Sequence, residues 1–158
     1  MLYALLKTVH VLSILVWIGG MVFAHFFLRP ALTVLEPGAR VRLMHAVLGR
    51  FFNAVLVLAT LTLVTGSWMI VSTARQMAQS EAKFHMPLEW TVMATLGLVM
   101  VLIFGHIRFA LYKRLSTAVT SVDWPAGAAA LGQIRLWVGV NMVLGGLIVL
   151  VTVMGIPR

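Results

Sequence analysis

Cysteine is absent from the chain, which excludes disulfides, thiolate metal sites and cysteine nucleophiles. Any metal must be held by His, Met, carboxylate or backbone donors. Acidic residues are scarce as well, four against twelve Lys and Arg. Charged residues make up 10% of the chain, where an ordinary soluble domain carries roughly 25%. Hydrophobic residues reach 61%, and the mean hydropathy is +1.03. Too little charge is present to cover a water-facing surface, so a soluble enzyme, a nucleic-acid-binding domain and a disordered chain are excluded. No phosphate-binding loop and no HExxH motif occurs, and no carboxylates are paired within an apolar run. The four acids sit in connections or at helix ends, which gives proton pumping or cation exchange no support.

What the chain does have is four long runs free of Asp, Glu, Lys and Arg, at 8–28, 51–74, 90–107 and 136–157. A hydrocarbon core takes about 20 residues of helix at ~1.5 Å each. The runs predict an all-α integral membrane protein, an antiparallel four-helix transmembrane bundle forming one domain over 1–158. Its spans are expected near 5–28, 47–72, 88–112 and 133–156. The first run is too long for a signal peptide and is followed by no small-residue cleavage site, so it is expected to be retained, with Pro30 ending its helix. Pro37-Gly38 and Pro125-Ala126-Gly127 mark connections, and Pro87 marks a helix start.

The net charge of +8 is distributed as a topology signal. Arg29, Arg40, Arg42 and Arg50 flank the first connection, and Arg108, Lys113, Arg114 and Arg135 flank the third. Arg75 and Lys83 around the second are balanced by Glu81 and Glu89. Basic residues collect on the cytoplasmic side, which predicts a plasma (inner) membrane protein with both termini and the second connection outside the cytoplasm. The lipid bilayer is then the principal partner, with a redox partner or a homo-oligomer as further expectations and nucleic acid excluded.

Polar residues inside spans usually face the bundle interior. The first span carries His10, Ser13, Trp17, Met21 and Ala24 at helical spacing. The second carries His45, Gly49, Asn53 and Thr60, the third Thr95, Val99, Leu102 and His106, the fourth Asn141, Gly145, Ile148 and Thr152. Glycines at 19, 20, 66, 97, 105, 139, 145 and 146 allow close helix approach or leave room for a planar group. The five histidines divide by depth. His25, His45 and His106 fall at the basic end of the bundle. His10 lies ~22 Å from His25 at ~1.5 Å per residue, and His85 with Met86 sits in the second connection.

An imidazole in a bundle can ligate a metal, relay a proton or hydrogen-bond a neighbour. Facing helices can hold a haem b through axial histidines without covalent attachment. His25 and His106 are the expected axial pair, with His45 as the substitute and His10 as support for a second haem or an outer redox step. Arg29, Arg50 and Arg108 would lie near the propionates, and electron transfer would be the use. If the chain is an enzyme, it is then a membrane oxidoreductase. The alternative is copper handling, since imidazole and thioether donors suit copper, Cu(I) above all. His10, His85 and Met86 would form that site, among Met69, Met77 and Met93. Methionine also fills apolar helix surfaces routinely, so both readings stand beside one in which the histidines only hold helices together.

The run Leu6-Lys7-Thr8-Val9-His10-Val11-Leu12, followed by Val16-Trp17-Ile18-Gly19-Gly20, resembles the opening of the CopD (copper resistance protein D) membrane domain. It is also similar to the start of the HemJ family of haem-linked protoporphyrinogen oxidases. Arg42-Leu43-Met44-His45, Thr65-Gly66 and Phe104-Gly105-His106 look like the same families. The resemblance implies a small membrane bundle concerned with copper or haem. It makes His10 a family ligand and matches His106 to a histidine late in the third helix of HemJ-like chains.

Overall fold

The computed structural model describes residues 1–79 and 86–154. Among them run four helices long and apolar enough to cross a membrane: α1 Leu2–Val34, α2 Pro37–Gln79, α3 Leu88–Thr120 and α4 Trp124–Met154. The chain is therefore an all-α, multi-pass membrane protein. Contacts between sequence neighbours fix the register. His10 meets Thr65 and Gly20 faces Phe51 across α1 and α2. Asn53 meets Arg108 and His45 meets Ser116 across α2 and α3. Asn141 meets Met100 and Trp137 meets His106 across α3 and α4. In each pair one number rises as the other falls, so consecutive helices are antiparallel. The first and third connections share one end of the bundle, here the basic end. The opposite end, which holds the beginning of α1, is the terminal end.

The helices outrun the apolar spans. The 43 residues of α2 reach ~64 Å at ~1.5 Å per residue, about twice a hydrocarbon core of ~30 Å. Counting charge-free residues finds only the lipid-bathed part. Pro37 is the first residue of α2 and Pro125 the second of α4, positions where the missing N–H costs nothing, so both lie in helices rather than connections. Pro30 does not end α1. The turn before it widens into a π segment, Phe23–Leu28, and the Arg29 amide donates to the Ala24 carbonyl. The wider turn relieves the clash of the proline ring with the preceding turn, and the helix continues to Val34. A second π segment, Ile107–Leu111, lies in α3.

The core is aromatic at its middle. Trp17 and Phe104 meet edge to face at 5.9 Å, and Phe52 and Phe104 at 6.1 Å. Ser13, Trp17 and Met21 of α1 are buried, as are Asn141, Gly145 and Ile148 of α4, which are the stripes expected from the sequence. In α3 the inward face is Met100, Phe104, Ile107, Leu111 and Leu115. The stripe expected there, Thr95, Val99, Leu102 and His106, is exposed on the outer surface. That helix is apolar all round, so shape complementarity rather than polarity chooses its inner face. In α2 the buried line is Met44, Leu48, Phe52 and Val55. His45, Gly49 and Asn53 stand one residue round from it, against α3, and Thr60 is exposed with its hydroxyl on the Leu56 carbonyl at 2.8 Å.

Candidate functional site

At the terminal end, His10 stands one turn outward of the buried Ser13, against α2. Its Nδ1 lies 3.0 Å from Thr65 Oγ1. The Thr65 hydroxyl has one proton, and its oxygen is 2.6 Å from the Leu61 carbonyl, the usual back-bond of a threonine in a membrane helix. With that proton donated to the backbone, Thr65 accepts, and the imidazole Nδ1–H donates. The acceptor thus lies on the Nδ1 edge, which favours the tautomer with its lone pair on Nε2. Gly66 makes the approach possible, since a Cβ there would meet the ring Cε1 at 3.0 Å. The Thr62 hydroxyl is buried beside this site without a partner among the described residues. Met69 follows Thr65 by one turn on the same side of α2, and Met93 of α3 packs against the core at this end. His85 lies outside the described residues, and Met86 is half-buried just before α3.

At the basic end, α1, α2 and α4 enclose a cavity of about 220 Å³ whose walls include His25, Arg29, Arg40 and Arg135. Arg40 is occupied. Its Nε donates to the Leu32 carbonyl, and its terminal nitrogen to those of Thr33 and Leu35, each at 3.0 Å. It caps the open carbonyls where α1 finishes. Arg29 and Arg135 line the same cavity. Neither side chain has a hydrogen bond or ion pair among the described residues.

Of the expected histidines among the described residues, His25 lines this cavity and the others lie elsewhere. His25 lies beside Gly139, 3.9 Å from where a Cβ would stand. His106 rests on Trp137, ring centres 5.5 Å apart. Positions 137 and 139 are about 200° apart on a helix at ~100° per residue, so α4 separates the two histidines. His45 is held between α2 and α3, with Nε2 2.9 Å from Ser116 Oγ and its ring stacked on Tyr112 at 5.1 Å. Arg108 donates to Asn53 Oδ1 at 3.1 Å and covers the Tyr112 ring at 5.3 Å. Arg50 is exposed. The arginine trio expected around propionates is therefore dispersed, and a haem b bound by His25 and His106 between α1 and α3 does not fit this arrangement.

The open glycines do not mark a cofactor slot either. At Gly19, Gly97, Gly105 and Gly146 a Cβ would meet nothing within 4 Å, while Gly20 and Gly145 are filled by Phe51 and by Ile18 with Met100. Among the described residues no group of three or more His, Asp or Glu gathers to hold a metal. Sequence reasoning missed Thr65 as the partner of His10. Thr65-Gly66 was visible as a motif, but only the register of α1 against α2 gives it a role.

Neither the curated proteins nor the solved structures contain a match to this chain. A family model does match, that of Copper resistance protein D, over residues 45–154. This range takes in most of α2 and all of α3 and α4, and the His10 motif precedes it. The match covers more than half of the chain, and it falls on the copper side of the two resemblances rather than the HemJ side: the chain belongs to the CopD family.

Proposed function

We propose that this protein handles copper within the membrane, accepting Cu(I) at the terminal end through Nε2 of His10. The observation that carries this reading is the hydrogen bond from Nδ1 to Thr65. It is the arrangement by which a metal-binding imidazole is usually held, with one nitrogen fixed by an acceptor and the other presented. A single imidazole makes an incomplete site, and thioethers are the natural complement for Cu(I) in a chain without cysteine. Met69 and Met93 supply them from α2 and α3, with Met86 as a donor toward the aqueous side. Both termini are placed outside the cytoplasm by the basic residues, which puts His10 in the outer half of the membrane. The Trp17, Phe52 and Phe104 rings below it and the cationic cavity beyond do not favour onward passage of a cation, so binding or delivery at the outer half is the step assigned to this site.

The test is a Cu(I) titration of the purified protein in mild detergent, with metal analysis and an absorption spectrum of the oxidised and reduced forms. One copper per chain, lost in His10→Ala and kept in His106→Ala, is the expected result. Full copper binding by His10→Ala would remove the assignment. A Soret band with sharp reduced α-bands would replace it with the haem b and electron-transfer reading, and the ligands would then have to be sought beyond the His25 and His106 pair.

A further inference from the structure

The cavity at the basic end has no part in the copper reading, and its chemistry is of another kind. Two guanidiniums without a partner among the described residues, Arg29 from α1 and Arg135 from α4, line this one cavity at the edge of a low-dielectric bundle. Like charges brought together there repel, and a bound anion turns that repulsion into attraction. Among the described residues no carboxylate pairs with either arginine. Asp123 accepts from the Ala126 amide at 2.9 Å, and Glu36 is exposed and pairs with neither arginine. Glu89 begins α3 at the far end of the bundle. Below the arginines the walls turn apolar, with Leu48, Ile134 and Val138 all buried. A free hydrated anion has no use for such walls, whereas an amphiphile with a phosphate and a hydrocarbon tail matches both halves.

We propose that this cavity binds the phosphate of an anionic phospholipid, clamped between Arg29 and Arg135, with the lipid's apolar part against α2 and α4. Basic pockets between transmembrane helices on the cytoplasmic side are where anionic headgroups are recognised, and guanidinium forks bind phosphate oxygens in pairs. The π segment of α1 contributes by setting the turn from which Arg29 projects. His25, on the same wall, is a further donor toward the headgroup.

The experiment uses the full chain in phosphatidylcholine bilayers doped with phosphatidylglycerol, followed by native mass spectrometry of the lipid retained on extraction and by thermal unfolding. Phosphatidylglycerol is expected to be retained over phosphatidylcholine and to raise the melting temperature. The double variant Arg29→Gln with Arg135→Gln should retain it about tenfold or more less strongly, two cations having been removed. Arg114→Gln, on α3 at the same end, should retain it fully. Ala128→Phe keeps both arginines and fills the cavity from its exposed wall, so it should lose the lipid as well, and it carries the test if the double variant fails to fold. Equal retention by the double variant, or by Ala128→Phe, would overturn the proposal. Inorganic phosphate giving the same stabilisation without lipid would overturn the choice of a lipid and leave a free-anion site. His10→Ala is expected to leave lipid retention unchanged, so this outcome is independent of copper.

Discussion

The two ends of the bundle solve opposite electrostatic problems. At the terminal end an imidazole is held by one acceptor, the Thr65 hydroxyl oxygen. At the basic end three guanidiniums share one cavity, and among the described residues only Arg40 is satisfied from within the chain. The first arrangement is complete except for one lone pair, and the second lacks two anions. A soft cation suits the former and is repelled by the latter. On the two proposals above, the bundle separates two binding chemistries that a list of histidines and arginines along the sequence would merge.

The largest effect that tests this separation is on copper. His10→Ala should weaken Cu(I) binding more than a hundredfold, whereas His25→Ala at the basic end should change it less than about threefold; loss of a first ligand exceeds the 10–100-fold typical of its orienting partner. Competition with a Cu(I) chelator measures both. A comparable loss in His25→Ala would mean that the two ends act as one site and would break the comparison.

That outcome bears on what a reader of the sequence can and cannot see. The four spans were legible because charge is excluded from lipid-bathed helix, a constraint that acts on every residue. The inner faces of α1 and α4 were legible because Ser13 and Asn141 mark them, and each is buried. The Asn141 amide is used in packing, donating to the Met100 carbonyl at 3.1 Å. The inner face of α3 was not legible, since Leu, Val, Met and Ile surround it and His106 is the misleading marker. The sites followed the same rule. His10 stood out by its motif and its polar neighbours. Arg29 stood out as a candidate anion partner, but its sharing one cavity with Arg135 depends on how α1 and α4 pack, and Arg40 gave no sign that it caps the finish of α1.

The next effect in size sharpens the description of the terminal end. Thr65→Val removes the acceptor from Nδ1 while keeping shape. Copper affinity should fall by about tenfold to a hundredfold, as for the loss of an orienting partner, and Thr65→Ser should restore most of it. An affinity unaltered by Thr65→Val would remove Thr65 as the group that orients the copper-binding imidazole.

At the basic end, Arg40→Ala should act on stability instead of binding. It removes the donor to the carbonyls of Leu32, Thr33 and Leu35, of which Leu32 keeps the Leu35 amide at 3.1 Å. A charged hydrogen bond of this kind contributes about 1.5–3 kcal/mol, and water at the headgroup level replaces part of the three. A loss of about 2 kcal/mol is expected, read from thermal unfolding in detergent, with the copper titration unchanged. A variant as stable as the parent would mean that water caps α1 equally well.

The smallest change expected has the opposite sign and lies in the connection between α3 and α4. Val122 has φ of 58°, the left-handed region that a β-branched side chain adopts at a cost. The reason is the way α3 ends. The Asp123 amide donates to the Ala118 carbonyl at 2.9 Å and the Val122 amide to the Val119 carbonyl at 3.3 Å, which together form a Schellman ending with Val122 at the position glycine usually fills. Val122 is exposed at 61%, so its side chain makes little packing to offset the strain. Replacing it by glycine removes the steric cost but adds backbone freedom to the unfolded chain. The balance should leave Val122→Gly more stable by about 0.5–1 kcal/mol, without a change in copper or lipid binding. Destabilisation on thermal unfolding would mean that Val122 is held by a contact with lipid or a partner, and that the basic end extends its binding surface to this turn.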